Sequence, residues 1–261
     1  MTADPPLLSV AWPALLAPLL LAGAGLIAGS FLATLVIRWP EGRSVARGRS
    51  ACDGCGRALT APELVPLLSA AVTRGRCRTC GAAIDPRHWR IEAGCAAVGA
   101  LAGWAAPGWA GVAGAVFGWL LLALAALDAA DLWLPDALVL PLALAGLATG
   151  AAGLEPPLAE RLIGGVVGYG VLRAIGAGYR HWRGREGLGG GDPKLLGAIG
   201  LWLGWRMLPW VLVVASVAGL LGVGIARLRG RPVRADTPVP LGALMAAAAY
   251  PIWLVMIAWQ P

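Results

Sequence analysis

This sequence has little charge. Only 13% of its 261 residues are Asp, Glu, Lys or Arg, and 58% are hydrophobic. Soluble domains carry about 25% charged residues. A solvated globular core is therefore excluded as the leading class, and several apolar runs approach the ~20 residues that cross a bilayer as a helix. A positively charged n-region is also missing: Asp4 is the only early charged side chain, so the N-terminus does not read as a cleavable signal. No aromatic-interleaved module accompanies the arginine-rich loops, and no nucleic-acid partner is expected. No internal repeat is visible, which argues against a transporter built from inverted halves. The glycines of "GLGGGDPKLL" (Gly187–Leu196) are not followed by Gly-Lys-Ser/Thr, so they do not form a phosphate-cradling P-loop.

Present instead are long apolar segments at 8–37, 91–106, 108–127, 137–154, 158–179, 193–205, 207–226 and 241–258. They predict an all-α polytopic membrane protein of about eight transmembrane helices. Pro13 and Pro18 predict a late start or a kink in the first. Ten basic residues fall between Arg38 and Arg90, and two more clusters run Arg173–Lys194 and Arg227–Arg234. Alternating the eight spans places 19 of the 21 basic residues on one side and leaves Arg161 and Arg206 on the other. That side reads as cytoplasmic. Both termini are then expected in the periplasm, with Asp128 and Asp192 at the same cytoplasmic face. The expected organisation is a first membrane segment (1–37), a cytoplasmic loop (38–90) and a seven-helix membrane domain (91–261).

That loop carries "CDGC" (Cys52, Cys55) and "CRTC" (Cys77, Cys80), separated by 21 residues. Two CxxC pairs offer four thiolates to one tetrahedral ion and predict a closed, structural zinc site. A redox pair is the alternative reading. Gly56 and Gly81 follow the pairs and suit the turn of a zinc knuckle. Cys95, inside an apolar segment, reads as a packing residue.

Most of the 14 acidic residues sit in loops or at helix ends. Glu92, opening the second span, reads as a helix cap or the partner of a loop arginine. Asp128, Asp131, Asp136 and Asp192 lie at the ends of strongly apolar helices, where an ionisable residue is a candidate functional group. Asp128 and Asp131 are three apart and could share a helix face. Asp131 also reads as an interfacial anchor, and Asp136, after Pro135, as a helix cap. Two facing carboxylates can hydrolyse a peptide: the ionised one takes a proton from water and the protonated one donates to the carbonyl oxygen. Carboxylate ligands of a membrane transporter are the alternative use.

The chain resembles the type IV prepilin peptidases, membrane aspartic proteases with a Gly-x-Gly-Asp motif. Gly189, Gly190, Gly191 and Asp192 supply that motif. Asp128, shortly before Leu134-Pro135-Asp136, matches the other aspartate. "GSFLATLVIRWP" (Gly29–Pro40), the two CxxC pairs, Glu92 and "VPLGALMA" (Val239–Ala246) fit the bacterial long form. Departures are Ala33, Arg87-His88-Trp89, Leu241 and Ala243. The resemblance implies Asp128 and Asp192 as the catalytic pair, and Gly189–Gly191 with Lys194 as the substrate loop. It also implies a bacterial inner-membrane location, and prepilins or pseudopilins cleaved at the cytoplasmic face while their helix lies among membrane lipids. Some members also N-methylate the new N-terminus with S-adenosylmethionine. No glycine-rich nucleotide fingerprint argues independently for that cofactor.

Overall fold

The computed structural model describes residues 8–45, 49–230, 232 and 237–259. Asp4, Arg231, Arg234, Asp236 and both chain ends lie outside the described residues. Each apolar segment forms one helix: α1 (Leu8–Arg38), α3 (Arg87–Ala105), α4 (Gly108–Asp131), α5 (Asp136–Ala151), α6 (Leu158–Arg183), α7 (Asp192–Leu203), α8 (Leu208–Leu228) and α9 (Leu241–Ala258). A short helix, α2 (Leu68–Thr73), sits in the loop after α1. Strands are absent among the described residues, apart from two isolated bridges, Ala51 with Ala58 and Arg76 with Ala83. The protein is thus all-α.

Five helical segments are long and apolar enough for a complete span: 15–38, 108–131, 158–183, 205–228 and 241–258. The other three are shorter or more polar. α5 has 16 residues and α7 has 12, or about 24 and 18 Å against a ~30 Å hydrocarbon core. α3 carries Arg87, Arg90 and Glu92 in its opening turns. α1 runs as one continuous helix past both Pro13 and Pro18, so the late start expected from them is not seen.

The chain divides into two compact units, residues 1–119 and 120–261. In the first, α1 and α3 pack antiparallel along faces of small residues. Gly25 and Gly29 meet Cys95 and Glu92, while Gly99 and Gly103 meet Leu21 and Pro18. A methyl group on Gly29 would sit 2.8 Å from Glu92 Cα, and one on Gly103 2.7 Å from Pro18 N. Such four-residue spacing lets two backbones touch where lipid offers no hydrophobic drive for association.

In the second unit, α7 is the buried centre. Leu195, Leu196, Ile199, Trp202 and Leu203 are each at most 2% exposed. α6 runs antiparallel to it, with Gly164 against Gly200 and Gly168 against Leu196. α5 runs parallel to α7: Asp136 pairs with Lys194 near their starts, and Gly146 meets Leu201 near their ends. Charge is segregated along this stack. Arg161 and Arg206 lie at the end where α6 begins, and Arg173, Arg180 and Lys194 at the other.

Arg161 is 2% exposed and makes no ion pair among the described residues; its guanidinium bonds to backbone and hydroxyl oxygens. It donates to Pro156 O (2.8 Å), Glu155 O (2.8 Å), Leu154 O (3.1 Å), Gly146 O (3.1 Å), Leu201 O (3.1 Å) and Thr149 Oγ1 (3.1 Å). One side chain thereby closes the α5–α6 turn and ties it to the last turn of α7. Each orphaned buried acceptor costs about 1–3 kcal/mol, so Arg161→Ala should destabilise this unit by on the order of 3 kcal/mol or more. Denaturant unfolding in detergent checks this, and an unchanged midpoint would refute it.

Candidate active site

The C-terminal turns of α4 carry Leu121, Leu124 and Asp128 on one face, exposed 2%, 0% and 4%. Helical spacing therefore turns the Asp128 carboxylate inward with the leucines. Asp131 is the last residue of α4 and is exposed, so the two aspartates do not share an environment. Asp192 opens α7 with Pro193 behind it, in the first turn, where proline costs no hydrogen bond. Its side chain is 7% exposed.

A buried carboxylate needs donors, and here they are backbone amides. Asp128 Oδ2 accepts the Ala243 N–H at 2.7 Å. Asp192 Oδ2 accepts the Gly189 N–H at 3.1 Å. The Gly242 N–H reaches both carboxylates, which also lie close enough to interact with each other electrostatically. Two acids from helices far apart in the chain thus meet at the start of α9. A methyl group on Gly242 would stand 3.0 Å from Asp128 Oδ2 and 2.7 Å from Leu134 Cδ1. Leu134 also fills the space beside Gly191, whose added methyl would lie 2.7 Å from Leu134 Cβ.

Of the loop glycines, Gly189 and Gly191 leave clearance and Gly190 faces open space. A methyl group on Gly189 would meet Asp192 Oδ2 at 2.9 Å, while one on Gly190 would meet nothing within 4 Å. Positive φ angles occur elsewhere in the chain but not at Gly189, Gly190 or Gly191. Lys194 points away from the carboxylates. Its Nζ is 2.8 Å from both oxygens of Asp136 and joins the starts of α5 and α7. The expectation that Asp136 caps α5 is corrected by this pair, since α5 has no side-chain cap.

In the first unit, Cys52, Cys55, Cys77 and Cys80 hold their Sγ atoms within 4.8 Å of one another. The two knuckles repeat the same turn. Cys52 N–H donates to Arg57 O (2.9 Å) and Gly56 N–H to Cys52 O (2.8 Å); Cys77 N–H donates to Ala82 O (2.8 Å) and Gly81 N–H to Cys77 O (3.0 Å). Gly56 and Gly81 both have φ of 71°, a conformation that a Cβ would strain. The N–H groups of Cys80 and Thr79 hold the pKa of the Cys77 thiol down to about 6. The cluster could hold a metal ion. All five cysteines are free thiols, and Cys95, fully buried in α3, has the packing role expected of it.

The sequence suggested a cap or the partner of a loop arginine, but among the described residues Glu92 has neither role. It is 7% exposed, and its Oε2 accepts the N–H of Leu67 at 2.9 Å. Leu67 has a φ of 58°, unusual for a branched residue, so the carboxylate fixes a strained turn just before α2.

Two sequence profiles match the chain. Residues 24–106 match the bacterial peptidase A24 N-terminal domain, and residues 115–224 match the type IV leader peptidase family. A prepilin leader peptidase/N-methyltransferase of Aeromonas salmonicida is 38% identical over 211 residues, 80% of this chain and 71% of that protein. Proteins of the same name are 34% identical in Pseudomonas aeruginosa (89% of this chain, 87% of theirs) and 40% identical in Klebsiella pneumoniae (75% and 89%). No solved structure matches.

The chain belongs to the type IV leader peptidase family.

It is accordingly a multi-pass inner-membrane protein. The leader-peptidase match contains Asp128, Leu134 and the Gly189–Asp192 loop but ends before Gly242 and Ala243. Those two amides were the functional groups least visible in the sequence, since any residue but proline supplies an N–H. Their signal was the short "VPLGALMA" stretch alone. Glu92 belongs to the N-terminal match and was visible as an acid at the head of an apolar run that fits the bacterial long form. Removing its acceptor should free the Leu67 turn. Glu92→Ala should therefore speed proteolytic cleavage at Arg74 or Arg76, and Glu92→Gln, which keeps an acceptor oxygen, should not. Equal cleavage of Glu92→Ala and wild type would contradict that role.

Proposed function

We propose that this chain is an aspartic endopeptidase that removes the short basic leader of type IV prepilins or pseudopilins, with Asp128 and Asp192 as its catalytic pair. The observation that carries the reading is the meeting of two buried carboxylates at the Gly242 amide. Chain membership in the family supports it, as do relatives named for this activity. Peptide hydrolysis by such a pair needs one shared proton. The ionised carboxylate takes a proton from water as the oxygen attacks the scissile carbonyl carbon. The protonated carboxylate gives its proton to the carbonyl oxygen. The tetrahedral intermediate collapses when the amine leaves with a proton returned by the pair. Because the proton belongs to both, no fixed role is assigned to either aspartate. The N–H groups of Ala243, Gly242 and Gly189 hold the carboxylates in place while this charge moves.

The positive-inside distribution supports a cytoplasmic active site and periplasmic termini. Gly189–Gly191 would border the substrate strand, and Lys194 would hold that loop indirectly, through its pair with Asp136. The four-cysteine cluster would hold structural zinc. Zn–S bonds of about 2.3 Å imply tetrahedral edges of about 3.8 Å, and Cys52 Sγ lies 3.8 Å from Cys80 Sγ. With four sulfurs on the ion, no position is left for catalysis.

The relatives' second activity, N-methyltransfer, implies S-adenosylmethionine, which would supply an electrophilic methyl group when bound. A cavity of about 190 Å³ in the first unit, bordered by Ser30, Thr34, Asp53, His88 and Glu92, has the hydroxyls and acids that suit this cation. Burial holds the His88 pKa below the usual histidine range, which outweighs the pull of Glu92 and favours the neutral imidazole there.

Asp128→Asn and Asp192→Asn should each lower prepilin cleavage by about a thousandfold or more, while both proteins accumulate in membranes. Activity retained in both would falsify the assignment. Mass spectrometry of the cleaved prepilin, with and without S-adenosylmethionine, reads the cut site and any added methyl group together. A cut product that never gains it would refute the methyltransfer half. Cys77→Ser should lose zinc by elemental analysis, and a well-folded wild type without zinc would overturn the metal assignment.

A further inference from the structure

Resting on the prepilin reading above, we propose that the apolar helix of the substrate docks in one groove of the second unit, between α5 and α6 and floored by α7. The groove holds about 590 Å³. Leu140, Ala143 and Leu147 form one wall at the spacing of a single α5 face; Leu162, Val166 and Tyr169 form the other on α6. The floor is α7 from Lys194 to Leu201, about 10 Å or two helical turns long. It is concave because a 12-residue helix lies sunk between longer neighbours. Gly197 and Ala198 on that floor are buried, with Gly197 packed against Gly165 and Tyr169 of α6, so an incoming helix would rest on the exposed wall side chains Leu140, Leu162, Val166 and Tyr169.

What marks this groove for the substrate, rather than for an acyl chain, is where it leads. Lys194 and Tyr169 border it and also border a second, polar depression of about 300 Å³. Gly189 and Gly190 form part of that depression, and the Gly189 N–H is the one bonded to Asp192. An apolar helix in the groove would therefore hand its polar end to the glycine loop over the catalytic pair. Charge would also guide the basic leader beyond the cut. Arg173 stands on the α6 side of the depression, where Arg180 is paired with Glu186, while exposed Asp131 lies where α4 ends and Asp136 is paired with Lys194. The leader would run from Arg173 toward Asp131.

The test uses full-length protein in lipid nanodiscs with a full-length prepilin. Ala143→Trp and Leu147→Trp, which fill the groove, should raise KM about tenfold and keep kcat within about twofold, the mark of lost ground-state binding. Leu144→Trp, on an exposed part of α5 outside the groove, should change neither. In otherwise wild-type protein, p-benzoylphenylalanine in place of Leu147 should photo-crosslink to the apolar segment of the prepilin, and in place of Leu144 it should not. An unchanged KM in both groove variants overturns the proposal. So does equal capture at positions 144 and 147, or capture at 147 of only lipid or a second copy of this chain. A wild type that cleaves no prepilin removes the underlying reading instead, and the groove assignment with it.

Discussion

Two carboxylates buried at the ends of apolar helices constrain everything around them. An ionisable group in such a place is costly unless donors are brought to it. Here the donors are main-chain N–H groups at Gly189, Gly242 and Ala243. Backbone donors cannot be carried to a site by a side chain's reach, so the chain itself must arrive. That requirement explains why α9 begins where it does, why Gly242 has no room for a methyl group, and why Leu134 packs against both Gly191 and Gly242. The surrounding helices serve to bring three separated pieces of backbone to one point.

Polar groups elsewhere follow the same rule with different donors. Arg161 answers six oxygens at the far end of the α5–α6–α7 stack, none of them from a carboxylate. Glu92 answers a single strained amide at Leu67. In each case one long side chain satisfies turn backbone that water would satisfy in a soluble protein. The exposed pairs, such as Arg43 with Asp53 and Lys194 with Asp136, are of another kind and contribute little to stability by themselves.

The helices were legible in the sequence because apolar run length is a direct consequence of membrane thickness, and each of the eight runs forms one helix. Their standing as complete spans was not, since α5 and α7 are short and α3 opens with charges. Asp128 and Asp192 stood out as rare charges in apolar surroundings. CxxC spacing brought out the cysteines, because two residues between ligands suit one knuckle. The partners escaped. Asp136 looked like a cap because it follows Pro135, yet Lys194, 58 residues away, holds it. Glu92 looked like an arginine's partner, but its acceptor role depends on the turn 25 residues before it. Pairings set by helix packing leave no periodic trace along the chain, and backbone donors leave no residue type at all.

The length of α7 has a consequence for the lipid itself. At about 18 Å, with its sides walled by α5 and α6, it is some ~12 Å short of the hydrocarbon thickness. Mismatch of this size is relieved by thinning the bilayer or by letting its aqueous boundary dip inward. The head of α7 bears the polar glycine loop and Lys194, so such a dip would fall there. Water could then approach the rim of Asp192 below the general level of the membrane surface, and a peptide bond beside a buried helix would be hydrolysed without leaving the bilayer.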